Sequence, residues 1–160
     1  MKMKIAIVCG VAVFLIAGAL FIRYNQTMPV ASAVCHGVLP TRHIIFAGVT
    51  LCAEVATDGA DLMLGLSGRG GLDDGTGMLF VFPEEGYLGF WMKDMNFPID
   101  ILWFDSSRRL IHSIAEADPA SYPEVFYPSQ KARFVLEVPS GFIATHDVQQ
   151  GDRFEFKSGY

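Results

Sequence analysis

The sequence predicts a mainly β, α+β fold: a single small domain preceded by an apolar N-terminal helix. The domain is expected to be a curled antiparallel or mixed sheet, or a partly open barrel, of about seven or eight short strands with one or two short helices. Three observations predict it. The chain has 160 residues, enough for one domain and a targeting segment. Its sixteen glycines and eight prolines are spread along the chain and cut it into short pieces. Between these breaks lie short apolar and β-branched runs, the signature of strands.

Each element follows from local composition. Ile44–Phe46 and Val49–Ala56 flank Ala47-Gly48 and read as a hairpin. Thr57 or Asp58 caps a short helix that runs to Ser67, with Gly68 as its stop and Ala60, Met63, Leu64 and Leu66 as its inner face. Five glycines and two aspartates between Gly68 and Gly77 make a turn-rich loop. Met78–Phe82 has no polar residue and is bounded by Gly77 and Pro83, so it reads as a strand buried on both faces. Glu84-Glu85-Gly86 is the next turn, and Leu88–Met92 and Ile99–Phe104 are strands. Asp105-Ser106-Ser107-Arg108 turns into Leu110–Ala115. Residues 118–130 carry Pro119, Pro123 and Pro128 and read as a loop. Phe134–Val138, a helical turn at Gly141–His146 and a last strand at Arg153–Phe156 complete the chain.

The N-terminus reads Met-Lys-Met-Lys, then an uncharged apolar run of 18 residues from Ile5 to Ile22, then Arg23. Basic residues before such a run are an export signal, and the run is just long enough to span a bilayer. Residues 1–23 are therefore read as a signal peptide or membrane anchor, 24–43 as a linker and 44–160 as the β-rich domain. Ala31-Ser32-Ala33 has the form of a cleavage site, so cleaved and retained forms both stay open. Lys2 and Lys4 outweigh Arg23, which keeps the N-terminus inside and places the domain outside, in the periplasm or cell envelope.

Charge and cysteines narrow the function classes. Past Ala33 there are nine basic and seventeen acidic residues, a net charge of −8 with His neutral. A domain without a basic stripe is not expected to bind nucleic acid or to adhere to anionic lipid. Cys9 lies in the apolar run, leaving Cys35 and Cys52 as a pair in an oxidising compartment. They are expected to form a disulfide closing a loop of about 17 residues, worth about 3 kcal/mol in the chain-entropy picture. A Cys–His metal site through His36 lacks the spacing such sites use.

Several segments together resemble a known family. They are Gly65-Leu66-Ser67-Gly68-Arg69, Gly77-Met78-Leu79-Phe80-Val81-Phe82, Phe90-Trp91-Met92-Lys93-Asp94 and Pro98-Ile99-Asp100-Ile101-Leu102, followed by Ala132–Val138, Gly141 and Gly151-Asp152. In order and spacing these resemble domain of unknown function family 192, across about residues 49–157. Ser67 stands where that family often has Met, and Asp94 where it often has Asn. The resemblance implies a small, β-rich, often exported domain and implies no reaction.

The candidate site residues are Arg69, Trp91, Lys93, Asp94, Asp100, Tyr122 and Tyr127. Asp100 and Glu137 lie in apolar strands, where an acid is costly unless paired. They either form a salt-bridge network with Arg69 or Arg133 or make the polar floor of a pocket. Along Phe90-Trp91-Met92-Lys93, alternate side chains face opposite sides: an inward Phe90 and Met92 would display Trp91 and Lys93, whereas the reverse would pack Trp91 inward and leave Lys93 to snorkel. Tyr122, Phe126 and Tyr127 could wall the same site or simply cover the core. Gly65-Leu66-Ser67-Gly68-Arg69 nearly spells the nucleophile elbow, but Arg69 replaces its last glycine and a helix precedes it. Met78, Met92 and Met95 with His112 and His146 offer soft copper(I) donors at spacings that fit no ligand pattern. No metal and no cofactor are expected. The reading is a non-catalytic extracytoplasmic binding or interaction module of the cell envelope, whose partner is an unidentified ligand or envelope protein. It would also meet the membrane through the N-terminal segment if that is not cleaved. The alternatives are a hydrolase- or lyase-like enzyme using Lys93, Asp94, Asp100 and Arg69, or a purely structural accessory domain.

Overall fold

The computed structural model describes Cys35 and residues 37–157. The residues read above as a signal peptide or anchor, most of those read as a linker, and His36 lie outside the described residues. Within them, no helix is long and apolar enough to cross a membrane.

The described chain runs β1 (Thr41–Phe46), β2 (Val49–Ala56), α1 (Gly59–Leu64), β3 (Thr76–Gly86), β4 (Phe90–Trp91), β5 (Ile99–Phe104), β6 (Leu110–Ala117), a 3₁₀ turn (Pro119–Ser121), β7 (Val125–Phe126), β8 (Ala132–Pro139), α2 (Phe142–Thr145) and β9 (Glu155–Phe156). Seven strands form one mixed sheet in the order β6-β5-β8-β3-β2-β1-β9, and β4 pairs with β7 in a small second sheet. The large sheet is open. Only β2 and β3 run parallel, which forces a crossover that carries α1 and the Arg69 loop over one face. Ala47 and Gly48 both take positive φ, 48° and 77°, the pattern that lets a two-residue turn follow the twist of its strands.

Alternation along the strands gives the sheet two apolar faces. One collects Ile44, Phe46, Leu79, Leu102, Phe104, Leu136 and Phe154 and is covered by Phe142 of α2. The other collects Met78, Phe80, Ile101, Trp103 and Val135 under Leu66, Phe90 and Phe126. With both faces covered, β5 is buried at all six positions.

Three expectations are corrected. The first helix ends at Leu64 rather than Ser67, because Gly65 already takes φ 50°. Its expected inner face is not inside: Met63 and Leu64 are 69% and 62% exposed, and of the four named residues only Leu66, beyond the helix, is buried. Helix α1 is too short to present a full apolar stripe, and Leu62 makes its contact with the core instead. Finally, β3 does not stop at Pro83 but continues to Gly86. Its register against β8 shifts between Val81 and Gly86, so Pro83 sits where no ladder bond is required of it.

Asp100 is fully buried on the α2 face of the sheet. One carboxylate oxygen accepts the N–H of Glu116 at 2.8 Å and of Gly141 at 3.2 Å. The other accepts the N–H of Ile143 at 2.8 Å. Gly141, the residue that opens α2, has no capping side chain of its own, so Asp100 caps that helix from across the sheet. It also holds Glu116, whose φ is 52°, in the irregular stretch of β6. Asp100, a ligand-binding candidate in the sequence, is thus a buried carboxyl group with three backbone N–H partners.

Cys35 and Cys52 form a disulfide with Cα atoms 5.5 Å apart, joining the segment before β1 to β2 across 17 positions of sequence. Two predictions arise here. Thiol titration of the oxidised, unfolded full chain should find a single reactive thiol, Cys9, and reduction should lower stability by about 3 kcal/mol. In urea denaturation, Asp100→Ala should cost about 3–5 kcal/mol, since three part-buried N–H groups lose their acceptor together.

Candidate functional site

On the face opposite Asp100, three neighbouring strands place Glu54, Met78 and Glu137 in one row: Glu54 pairs with Met78 across β2–β3, and Met78 with Glu137 across β3–β8. The row thus has a carboxyl group on each side of a buried methionine. Gly77 makes this possible, because a Cβ there would lie 2.8 Å from the Glu137 carbonyl oxygen.

The two carboxyl groups differ in their surroundings. Glu54 accepts hydrogen bonds from both terminal nitrogens of the Arg69 guanidinium, Nη2 to Oε2 at 3.0 Å and Nη1 to Oε1. Its Oε2 also accepts the N–H groups of Val38 and Leu39 at 3.1 and 3.0 Å. The Arg69 hydrogen bonds hold the Glu54 carboxyl below its ordinary value, against the opposing effect of burial. Glu137 is 5% exposed, and among the described residues its Oε2 has no hydrogen-bond partner. Desolvation pushes its pKa up to about 8, only partly opposed by the charge of Arg69. At neutral pH one member of the row is a carboxylate and the other a carboxylic acid.

The Arg69 loop is tied to the segment that follows β4. Ser67 Oγ donates to the Lys93 carbonyl at 2.8 Å, the Gly68 N–H to the Asp94 carbonyl at 2.8 Å, and Asn96 Nδ2 to the Arg69 carbonyl at 2.8 Å. Ser67 is therefore a loop clasp, not a nucleophile on an elbow. Asp94 has φ 55°, a conformation that Asn and Asp tolerate better than other residues, so Asp where the family often has Asn suits the turn. Lys93 and Asp94 face solvent with their charged groups 3.9 Å apart.

The β4–β7 pair has an inner and an outer face. Phe90 pairs with Phe126, and Trp91 with Val125. Inside, Phe90 meets Phe80 and Trp103 edge-to-face at 4.9 and 5.9 Å, and Trp103 Nε1 donates to the Leu88 carbonyl at 2.8 Å. Met92 is buried. Outside, Trp91 is 41% exposed, Tyr122 46% and Tyr127 59%. The Trp91 and Tyr122 rings meet at 6.3 Å, inclined by 75°. Tyr127 lies over Gly89, where a Cβ would come within 2.7 Å of the ring.

Of the candidates read from sequence, Arg69, Trp91, Lys93, Asp94 and Tyr122 fall into this connected region, with Tyr127 beside them, while Asp100 lies on the other face of the sheet. Glu54 and Gly89 were missed. The signal for Glu54 was an acid inside the apolar run Leu51–Ala56, the same feature that singled out Asp100 and Glu137. Of the soft donors, Met78 and Met92 are buried in the apolar cluster of this face with Met95 packed against it, His112 lies against Trp103, and His146 lies against Phe142 of the opposite face. No group of three or more His, Cys, Asp or Glu among the described residues could hold a metal ion.

The pKa asymmetry gives a pH prediction. Glu137 keeps its proton to about pH 8 in the folded chain but loses it near the ordinary carboxylate value, 4.5, when unfolded. Its contribution is fully present below 4.5 and is lost as pH rises through about 8. Glu54 is shifted downward, so its contribution is present at neutral pH and lost on acidification. Urea denaturation at a series of pH values should show wild-type stability falling between pH 5.5 and 9, and Glu137→Gln should flatten that alkaline limb. Parallel limbs in the two proteins would mean that Glu137 is already ionised when folded.

Comparisons with known proteins agree with this architecture. The chain is 36% identical over 77 residues to a UPF0127 protein of Thermococcus gammatolerans, covering 47% of this chain and 48% of that one. It is 31% identical over 81 residues to a UPF0127 protein of Thermococcus kodakarensis, covering 47% and 46%. The chain thus spans about half the length of the curated relatives it matches. A crystal structure from Novosphingobium aromaticivorans, of unknown function, superposes with a TM-score of 0.73 at 26% identity, covering 82% of this chain and 99% of that one. Another, from Sinorhizobium meliloti and provisionally described as a transcription regulator, gives 0.70 at 27% identity, covering 76% and 97%. The family model DUF192, described as "Uncharacterized ACR", matches residues 43–156, and the chain belongs to that family.

Proposed function

We propose that this chain is a non-catalytic, extracytoplasmic ligand-binding module of the cell envelope, with its site on the outer face of the β4–β7 sheet. The observation that carries the proposal is the exposure of Trp91 on a scaffold that buries the alternate residues Phe90 and Met92 more deeply. Large aromatic side chains are costly to leave in water, and a fold with both sheet faces already covered has no packing need for this one. Tyr122 and Tyr127 extend the same surface, and Lys93 and Asp94 supply charged groups at its end.

The export reading rests on Lys2, Lys4 and the Ile5–Ile22 run, and the Cys35–Cys52 disulfide suits an oxidising compartment. The net charge of −8 past Ala33 disfavours a nucleic-acid ligand, whatever the description given to the Sinorhizobium protein. The enzyme alternative loses Asp100 to helix capping, and it loses Arg69 as a free cation to Glu54.

A thermal-shift screen of the full chain under oxidising conditions tests the reading, using sugars, peptidoglycan fragments, amino acids and metals. A ligand at a hundred times its Kd should add about 2.7 kcal/mol of stability, and Trp91→Ala should abolish that gain. A ligand whose stabilisation is unaffected by Trp91→Ala would move the site elsewhere. Turnover of any hit that falls by orders of magnitude in Lys93→Ala, with folding intact, would replace the binding module by an enzyme.

A further inference from the structure

We propose that the outer face of the β4–β7 sheet binds a neutral saccharide, stacking sugar rings on Trp91 and Tyr127. This rests on the binding-module reading and names its ligand class. Trp91 stands opposite Val125 at one end of the two-residue β4–β7 ladder, and just past the other end the Tyr127 ring lies against Gly89, so continuing the register by one residue sets Trp91 and Tyr127 on a diagonal. Such positions are about 7–8 Å apart, close enough for both rings to serve one extended ligand. Glycine at position 89 is what lets Tyr127 lie there, since a Cβ would come within 2.7 Å of its Cε1 and 3.0 Å of its Cζ.

The chemistry of the surface selects the ligand. The exposed large side chains of this face are aromatic: Trp91, Tyr122 and Tyr127. Two of the three end in a hydroxyl. An aliphatic chain or a lipid tail would leave those hydroxyls unpartnered, at a cost. A pyranose has a C–H face that stacks on a ring and hydroxyls at its edge that exchange hydrogen bonds with Tyr hydroxyls and with Lys93 and Asp94. Aromatic rings also lose little conformational freedom when a ligand docks, which suits a shallow surface.

Charge then separates neutral sugars from acidic ones. The charged pair next to Trp91, Lys93 with Asp94, is balanced, Glu124 adjoins β7, and the domain carries net −8 past Ala33. The cation an anionic sugar would meet there, Lys93, already has Asp94 beside it. A quaternary ammonium ion is the rival for aromatic faces in an acidic protein, but it needs rings that enclose and desolvate it. Rings that are 41% to 59% exposed form an open shelf rather than a cage.

Tryptophan fluorescence of the full chain provides the test, because Trp91 is exposed while Trp103 is fully buried, so a ligand-induced change reports Trp91. The probes are maltohexaose and chitohexaose as neutral oligosaccharides, polygalacturonate as an acidic one and tetramethylammonium as the cation. Either neutral oligomer should give a saturable change that Trp91→Ala removes. By isothermal titration, Tyr127→Ala and Gly89→Ala should each weaken binding at least tenfold; Gly89→Ala keeps all three rings but displaces the Tyr127 ring and a Val125 methyl group. Tyr127→Phe, which keeps the ring, should retain most of the affinity and guards against misfolding of the harsher variants. Saturable binding of tetramethylammonium but not of the oligomers, lost in Trp91→Ala, would overturn the saccharide assignment and leave the binding module standing. No response to any probe would count against both. Oligosaccharide binding that survives Trp91→Ala and Tyr127→Ala would overturn the shelf as its site.

Discussion

A buried carboxylate with three backbone N–H partners is the constraint on which much of this fold depends. Asp100 sits in a strand whose every residue is buried, and it is tolerated there because Glu116, Gly141 and Ile143 turn their N–H groups toward it. Those three groups come from the irregular end of β6 and from the start of α2. One side chain therefore fixes the edge strand and the helix that closes one apolar face against the central strand. The helix has only four residues and no cap of its own, so without this acceptor it would have little reason to form.

The period of two along a strand then decides which acids meet. Asp100 is paired with Val138, and Ile101 with Glu137, so neighbouring positions of β5 serve opposite faces. Asp100 is consumed by structure on one side. On the other, Arg69 arrives by way of the single parallel crossover and is shared electrostatically between Glu54, which it binds directly, and Glu137, which it does not. A lone guanidinium between two carboxyl groups satisfies one of them, and the other keeps its proton.

Much of this was legible in the sequence, and what was not has identifiable causes. Ile99–Phe104 could be read residue for residue, because an apolar run between Pro98 and Asp105 has few other ways to fold. The disulfide and the costliness of acids in apolar strands were also readable, whereas alternation along Phe90-Trp91-Met92-Lys93 left open which side turned inward. The pairing of Arg69 was not, because it depends on β2 lying beside β3 in the sheet order, and strand order leaves no local trace. Helix α1 was misjudged for a local reason: a glycine at 65 can end a helix as well as one at 68, and composition does not choose between them. Pro83 misled because a register shift in β3 removed the requirement it was expected to violate. The role of Gly89 was hidden because its meaning lies in the Tyr127 ring above it, 38 positions along the chain.

The Cys35–Cys52 bridge also sets a path for mechanical load. Cys52 belongs to β2, which lies between β1 and β3, whereas the chain leaving Cys35 enters the sheet nearer its edge, at β1. Tension applied on the N-terminal side of Cys35 is delivered through the sulfur atoms to β2 and must shear it against both neighbours. The intervening residues, including β1 and the β1–β2 turn, are bypassed. With the bridge reduced, the same pull would reach β1 first and could unzip the sheet from its margin, one ladder bond at a time. Were the domain hung by its N-terminus, the bridge would make the difference between peeling and shearing.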